Sequence, residues 1–216
     1  MNVLPLLLDV EEREALASRI QGVVVGVVTN NQDPDGMGRV KVKFPWLSDA
    51  DESNWARVAA PMAGQERGIY FLPEVDDEVL VGFEHGDVRF PYVLGALWNG
   101  QEAPPAKNDD GKNNLRVIKS RSGHIVRLDD TDGGEKIEII DKSGKNSVII
   151  DASANTITMK ADGDITLESG QGKIVLKGQS IEAKATAQDV KIEASANMDL
   201  KAGGQVTLKG SAVNIN

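Results

Sequence analysis

Cysteine is absent from the 216 residues, which excludes a disulfide framework and any thiolate metal site. Aromatic residues are few and unevenly placed: all nine lie between Phe44 and Trp98, and the last proline is Pro105. Residues 106–216 therefore hold no Phe, Tyr, Trp or Pro. One globular core would mix these residue types along the chain, so two regions with different packing rules are expected. Positive charge is also scarce, with 24 Lys and Arg against 33 Asp and Glu and a net charge of −9. Affinity through phosphate neutralisation needs a basic face, so nucleic acid is excluded as a partner. The opening residues, MNVLPLLLDVEEREALASRI, contain one short apolar run with no basic segment ahead of it and acidic residues directly behind. That run is neither a signal peptide nor long enough to span a bilayer, and the reading is a soluble protein made in the cytoplasm.

What is present begins with a short arm. Residues 9–20, DVEEREALASRI, favour helix, with Asp9 as N-cap and Glu11 and Glu12 in the first turn, so residues 1–20 are expected to form a partly helical arm. Strands follow. GVVVGVVT (22–29) is a β-branched run, NQDPDGMG (31–38) a turn cluster, and RVKVKF (39–44) alternates charged and apolar residues with period two. NWARVAAP (54–61), DEVLVGFE (77–84) and PYVLGAL (91–97) continue the series. These strands suit a small antiparallel barrel of OB type over residues 21–100. Residues 101–115, rich in Pro, Gly, Asn and Asp, read as a linker.

Beyond the linker NLRVIKS, HIVRLDD, EKIEIID and NSVIID are strand-like and separated by turn residues. From residue 157 a repeat is plain: ITMK, ITLE, IVLK, IEAK, VKIE, MDLK, VTLK and VNIN start at Ile157, Ile165, Ile174, Ile181, Val190, Met198, Val206 and Val213. The steps of 8, 9, 7, 9, 8, 8 and 7 residues centre on eight. Within each word, positions one and three share a face and positions two and four share the other. Four residues cannot stand alone as a strand, so neighbouring words must stack to build a continuous core. A single-chain coil and a three-chain prism both satisfy that demand. The octad favours the prism: one strand and one corner carry each chain to the next side, and a narrow axis accepts aliphatic side chains but no ring. Proline would delete ladder donors. Glycines 163, 170, 172, 178, 203 and 204 fall at corners, where positive φ is expected. The expected fold class is thus all-β, an OB barrel followed over residues 116–216 by an intertwined trimeric β-helix. Its axis would be lined by Ile157, Met159, Ile165, Leu167, Ile174, Leu176, Ile181, Val190, Ile192, Met198, Leu200, Val206 and Leu208. Thr166, Glu168, Val175 and Lys177 would face outward, and apolar Val175 has no sequence-level account there. At about 4.8 Å per stacked strand, eight octads give a shaft of roughly 40 Å.

GVVTNNQDPDGMGRVKVKFPWL, WARVAAPMAGQERGIYFLPEVDDEVLVGFEHGD and PYVLGALWNG resemble the OB domain of phage baseplate assembly protein V and of the central spikes of contractile injection systems, including type VI secretion. The resemblance implies a structural, non-enzymatic spike without cofactors. It would sit at the centre of a virion tail baseplate or an assembled injection particle, made in the bacterial cytoplasm, and pierce the target envelope when the sheath contracts. It also implies a homotrimer, a separate hub protein on the barrel side, and a tip protein of PAAR type on Val213, Asn214, Ile215 and Asn216. Some relatives place a lysozyme domain before the shaft; a linker of this length leaves no room for one. Some close their apex with an H-x-H pair on iron; His85 and His124 are not such a pair, so no metal is expected. The alternative is a trimeric tail fibre or a receptor- or polysaccharide-binding protein, which would need aromatics and carboxylate clusters on the shaft.

Motifs with possible chemistry read more simply as structure. NQDPDG places Asn31, Asp33 and Asp35 as in half a calcium loop, but Val42 stands where the closing Glu belongs, so a tight turn is expected. His85, between Glu84 and Asp87, reads as a turn histidine. The run Glu74, Asp76, Asp77, Glu78 reads as the solvated start of a strand or a contact with a neighbouring subunit. Trp46, Trp55 and Trp98 read as core or interface packing rather than stacking platforms.

Overall fold

The computed structural model describes residues 19–47 and 51–214. The expected helical arm, with its Asp9 cap, lies outside these residues except for its end. There Arg19 and Ile20 are not helical, and the Ile20 N–H donates to the Gly86 carbonyl at 3.0 Å.

β-branched runs set the first strands: β1 (Val23–Asn30), β2 (Arg39–Lys43) and β3 (Ala56–Val58). A two-strand hairpin follows, β4 (Ala63–Gly64) with β5 (Arg67–Gly68), and then β6 (Glu78–Phe83) and β7 (Pro91–Ala96). β1, β2, β3, β7 and β6 close in that order into a barrel, with β3 and β7 parallel and the other neighbours antiparallel. Period-two alternation turns Val40 and Val42 of RVKVK and Val79 and Val81 of EVLVGF inward. With Val28, Phe44, Ala56 and Val93 they form the core. Valine dominates because a five-stranded barrel has a narrow interior and stiff β-branched side chains fit a pleated wall. Gly26 sits buried in β1 where a Cβ would press on Val42 Cγ1 and stand 3.1 Å from Phe44 Cε1. The barrel closes there only because that side chain is missing.

After the linker come β8 (Leu115–Lys119), β9 (Ile125–Asp129), β10 (Lys136–Ile140), β11 (Ser147–Asp151) and β12 (Thr156–Lys160), an antiparallel meander in chain order. Four turns join them, each with one residue in the left-handed region: Gly123, Gly133, Gly144 and Asn155. Such turns reverse the chain upon itself, so every ladder of this sheet is internal. The prism rungs expected from residue 116 are in fact hairpin strands as far as Lys160. The word ITMK is part of β12, not a free octad. The meander meets the barrel through Arg121 in the β8–β9 turn, whose guanidinium lies 2.5 Å from the Glu74 carboxylate.

Gly163–Asn216 forms a separate compact unit. Among its described residues none is in a strand and the side chains are exposed. Beyond ITMK, the described words of the repeat therefore make no ladder within one chain. None of the six corner glycines lies in the left-handed region, so the expected positive φ is not found there.

Candidate assembly interface

Register decides what the meander presents. The ladders align five cross-strand rows, two of which lie on one face of the sheet. These are Arg116, Leu128, Ile137, Ile150 and Ile157, and Ile118, Val126, Ile139, Val148 and Met159. Nine of the ten are aliphatic. Val148 is half-buried, while the others stay open to solvent, Ile139 at 54% and Ile157 at 72%. Burying such a side chain contributes about 1.5–3 kcal/mol, a stabilisation that this face leaves unrealised in the single chain. Arg116 is its sole charge. It stands on edge strand β8 and is held aside by Asp130 at 2.6 Å and the Asn113 carbonyl at 2.9 Å.

The opposite face is polar. Its central row runs Val117, Arg127, Glu138, Ile149 and Thr158. Glu138 is buried in the sheet centre, and the Arg127 Nε–H donates to its carboxylate at 2.5 Å. The two faces are thus chemically distinct, one a partly buried mixture of ionic, polar and aliphatic side chains around the Arg127–Glu138 pair and the other an exposed stripe of hydrocarbon.

Of the thirteen residues read from the sequence as axis-lining, Ile157 and Met159 lie in these aliphatic rows. The other eleven, Ile165 to Leu208, lie in the repeat unit with their side chains exposed in the single chain. Val175, the apolar residue expected outside, is exposed too at 65%. Of the tip-contact residues, Val213 and Asn214 are exposed, and Ile215 and Asn216 lie outside the described residues. Sequence reasoning missed Ile118, Val126, Leu128, Ile137, Ile139, Val148 and Ile150. In EKIEIID and NSVIID apolar residues occur on consecutive positions, so alternation alone does not say which face each takes. The turns settle it by fixing register.

The remaining motifs are occupied by structural partners. Asp33, nearly buried, accepts the Arg39 fork at 2.6 and 2.9 Å and the N–H groups of Asp35, Met37 and Arg39. The Arg39 guanidinium, foremost, and those N–H groups hold the Asp33 carboxyl well below the usual carboxylate range. The Asn31 amide donates to the Pro73 carbonyl. NQDPDG is accordingly a locked turn. His85 sits in a single 3-10 turn at φ 50° directly after β6. Its acidic neighbours have partners: Glu84 accepts the Tyr92 hydroxyl at 2.7 Å, and Asp87 is paired with Arg89 at 2.6 Å. In the acidic run, Asp77 accepts the Glu74 N–H at 2.8 Å and Glu74 faces Arg121 of its own chain. Trp55 is half-buried beneath the cations of Arg39 and Lys41, whereas Trp46 and Trp98 are exposed. Among the described residues no helix is long and apolar enough to cross a membrane.

Residues 24–98 match the family described as the type VI secretion system/phage-baseplate injector OB domain. The type VI secretion system spike protein VgrG5 of Pseudomonas aeruginosa is 34% identical over 137 residues, covering 60% of this chain and 16% of the relative. Spike protein VgrG3 of Vibrio cholerae is 24% identical over 189 residues, 84% of this chain and 17% of the relative. The Vibrio cholerae protein named actin cross-linking toxin VgrG1 is 26% identical over 165 residues, 74% of this chain and 14% of the relative. The chain thus spans about a sixth of the length of these curated relatives. Five barrel strands in the order β1-β2-β3-β7-β6, the match over 24–98 and these alignments agree: residues 24–98 are similar to the type VI secretion system/phage-baseplate injector OB domain, and the chain is similar to spike proteins that carry it.

Proposed function

We propose that this chain is a structural, non-enzymatic component of the central spike of a contractile tail or injection machine, working as a homotrimer. One observation carries the reading: a barrel that matches the injector OB domain precedes a repeat whose described aliphatic positions are all exposed in a single chain. Eleven exposed Ile, Val, Leu and Met side chains on eight-residue spacing need a cover, and three copies around an axis supply one. In that arrangement strands of different chains share their ladders and force passes along a stiff, hydrogen-bonded shaft. Its role is mechanical: the barrels join a hub, a conical tip protein rests near Val213–Asn216, and the assembly is driven through the target envelope.

Native mass in solution tests the reading. Three chains of 23.1 kDa give about 69 kDa, and the trimer is expected to resist SDS without boiling. A clean monomer refutes the intertwined shaft. Micromolar binding in a glycan screen would instead support the fibre or receptor-binding alternative.

A further inference from the structure

We infer that the aliphatic face of β8–β12 is the registration surface for self-association, the place where copies of this chain dock before their repeats intertwine. The inference rests on the three-copy reading above and adds which part of the chain sets the alignment.

The repeat cannot align itself. Its words ITLE, IVLK, IEAK and VTLK place Ile or Val at position one and Leu or Ala at position three. A copy displaced by one word still meets aliphatic with aliphatic. Hydrophobic association is non-directional, so such a slip costs little, and weakly specified registers are prone to slippage. The seven- to nine-residue steps add only small local misfits.

The meander has the specificity that the repeat lacks. Its ladders close within one chain, so its face is preformed, whereas each octad is unpaired until partners arrive. Its outline does not repeat. One row is aliphatic from β8 to β12, and the other begins with Arg116 tied to Asp130. A displaced copy would bring that ion pair against Leu128 or Ile137 and strip it of water at a cost in desolvation.

Continuity identifies the occupant as further copies of the same chain. β12 is at once the last strand of this face and the first word of the repeat, with Ile157 and Met159 in the two aliphatic rows. The chain runs from this strand directly into the following octads. The face also carries no ring and no polar groove to suit a different ligand.

The test uses the full-length chain, in which an introduced cysteine is the sole thiol. In the Leu167→Cys chain, cross-linking with a short bismaleimide is expected to join copies at matched height. Adding Ile137→Lys and Ile139→Lys is expected to abolish that cross-link and slow recovery of the SDS-resistant species after dilution from denaturant. Unchanged cross-linking and recovery would overturn the inference while leaving the spike reading intact. A native chain that is not trimeric would overturn both. If far-UV circular dichroism shows that the lysine variant has lost its sheet, single cysteines in otherwise unaltered chains decide. Ile139→Cys is expected to cross-link between copies and Thr158→Cys, on the polar face, is not. Failure of Ile139→Cys, or equal yield from both, overturns the inference.

Discussion

Asp33 shows how one side chain can determine a connection. Five hydrogen bonds converge on its carboxylate from three backbone N–H groups and the Arg39 fork, fixing the path from β1 to β2. Asp87, bound by Arg89, has its carboxyl lowered to about 2 from an ordinary 3.8, and Asp33 is lower still. Both folded values are depressed, so below the ordinary value the unfolded chain binds more protons than the folded one. Their stabilisation is complete above about pH 5, starts to fall as pH approaches the ordinary value and is lost as pH falls through the folded values. The melting temperature is therefore expected to drop between about pH 5 and pH 2.5, and Asp33→Asn to flatten that slope and lower the midpoint at neutral pH. A melting point constant across this range would refute the assignment. Gly26 gives the complementary steric case. Gly26→Ala forces a methyl onto Val42 and Phe44 and is expected to cost about 1–3 kcal/mol in denaturant titration. A variant as stable as the parent would show that β1 and β2 can separate freely at that point.

At the scale of elements, the meander is a sheet with one ionic and one hydrocarbon face. Glu138 takes the Arg127 guanidinium at the centre of the polar side, where neither is fully hydrated. Glu138→Ala strands Arg127 and is expected to destabilise the sheet by about 1–3 kcal/mol, read as loss of protection at β9 and β10 in hydrogen exchange. Replacing both by leucine is expected to restore much of that loss, because a hydrophobic pair of similar volume often substitutes for a buried ion pair. A double variant no better than Glu138→Ala would show that the pair does more than satisfy itself. The turns matter as much as the strands. The left-handed residues Gly123, Gly133, Gly144 and Asn155 convert an apparent run of shaft rungs into hairpins and so settle which side chains are aliphatic neighbours.

For the whole molecule the decisive quantity is uncovered hydrocarbon. The barrel buries six valines in a core within one chain, whereas the meander face and the repeat expose most of their aliphatic side chains. Under the proposed three-copy arrangement, Leu176→Lys buries a charge at the axis, whereas Lys177→Leu alters only the outer face. The first is expected to abolish SDS resistance and the second to preserve it. Equal behaviour of the two variants on unboiled gels would argue against an axis lined by positions one and three.

The sequence by itself determined the strand positions of the barrel, the break in composition after Pro105 and the eight-residue repeat. Each is a local signal: period two, β-branched runs and turn residues act over a few positions and need no knowledge of the fold. That the barrel closes through a parallel β3–β7 pair was not legible, because residues 35 apart in sequence meet there only once the intervening hairpins have formed. Nor was the steric need for glycine at position 26, which exists only where β1 crosses Phe44 and Val42. The meander face also had to wait for tertiary structure. Ile139 and Ile140 are equally apolar in sequence, and only the ladder with Val126 and Val148 places Ile139 in the aliphatic rows. Periodicity identifies which residues can share a face, whereas register, fixed by turns and backbone pairing across the sheet, decides which of them do.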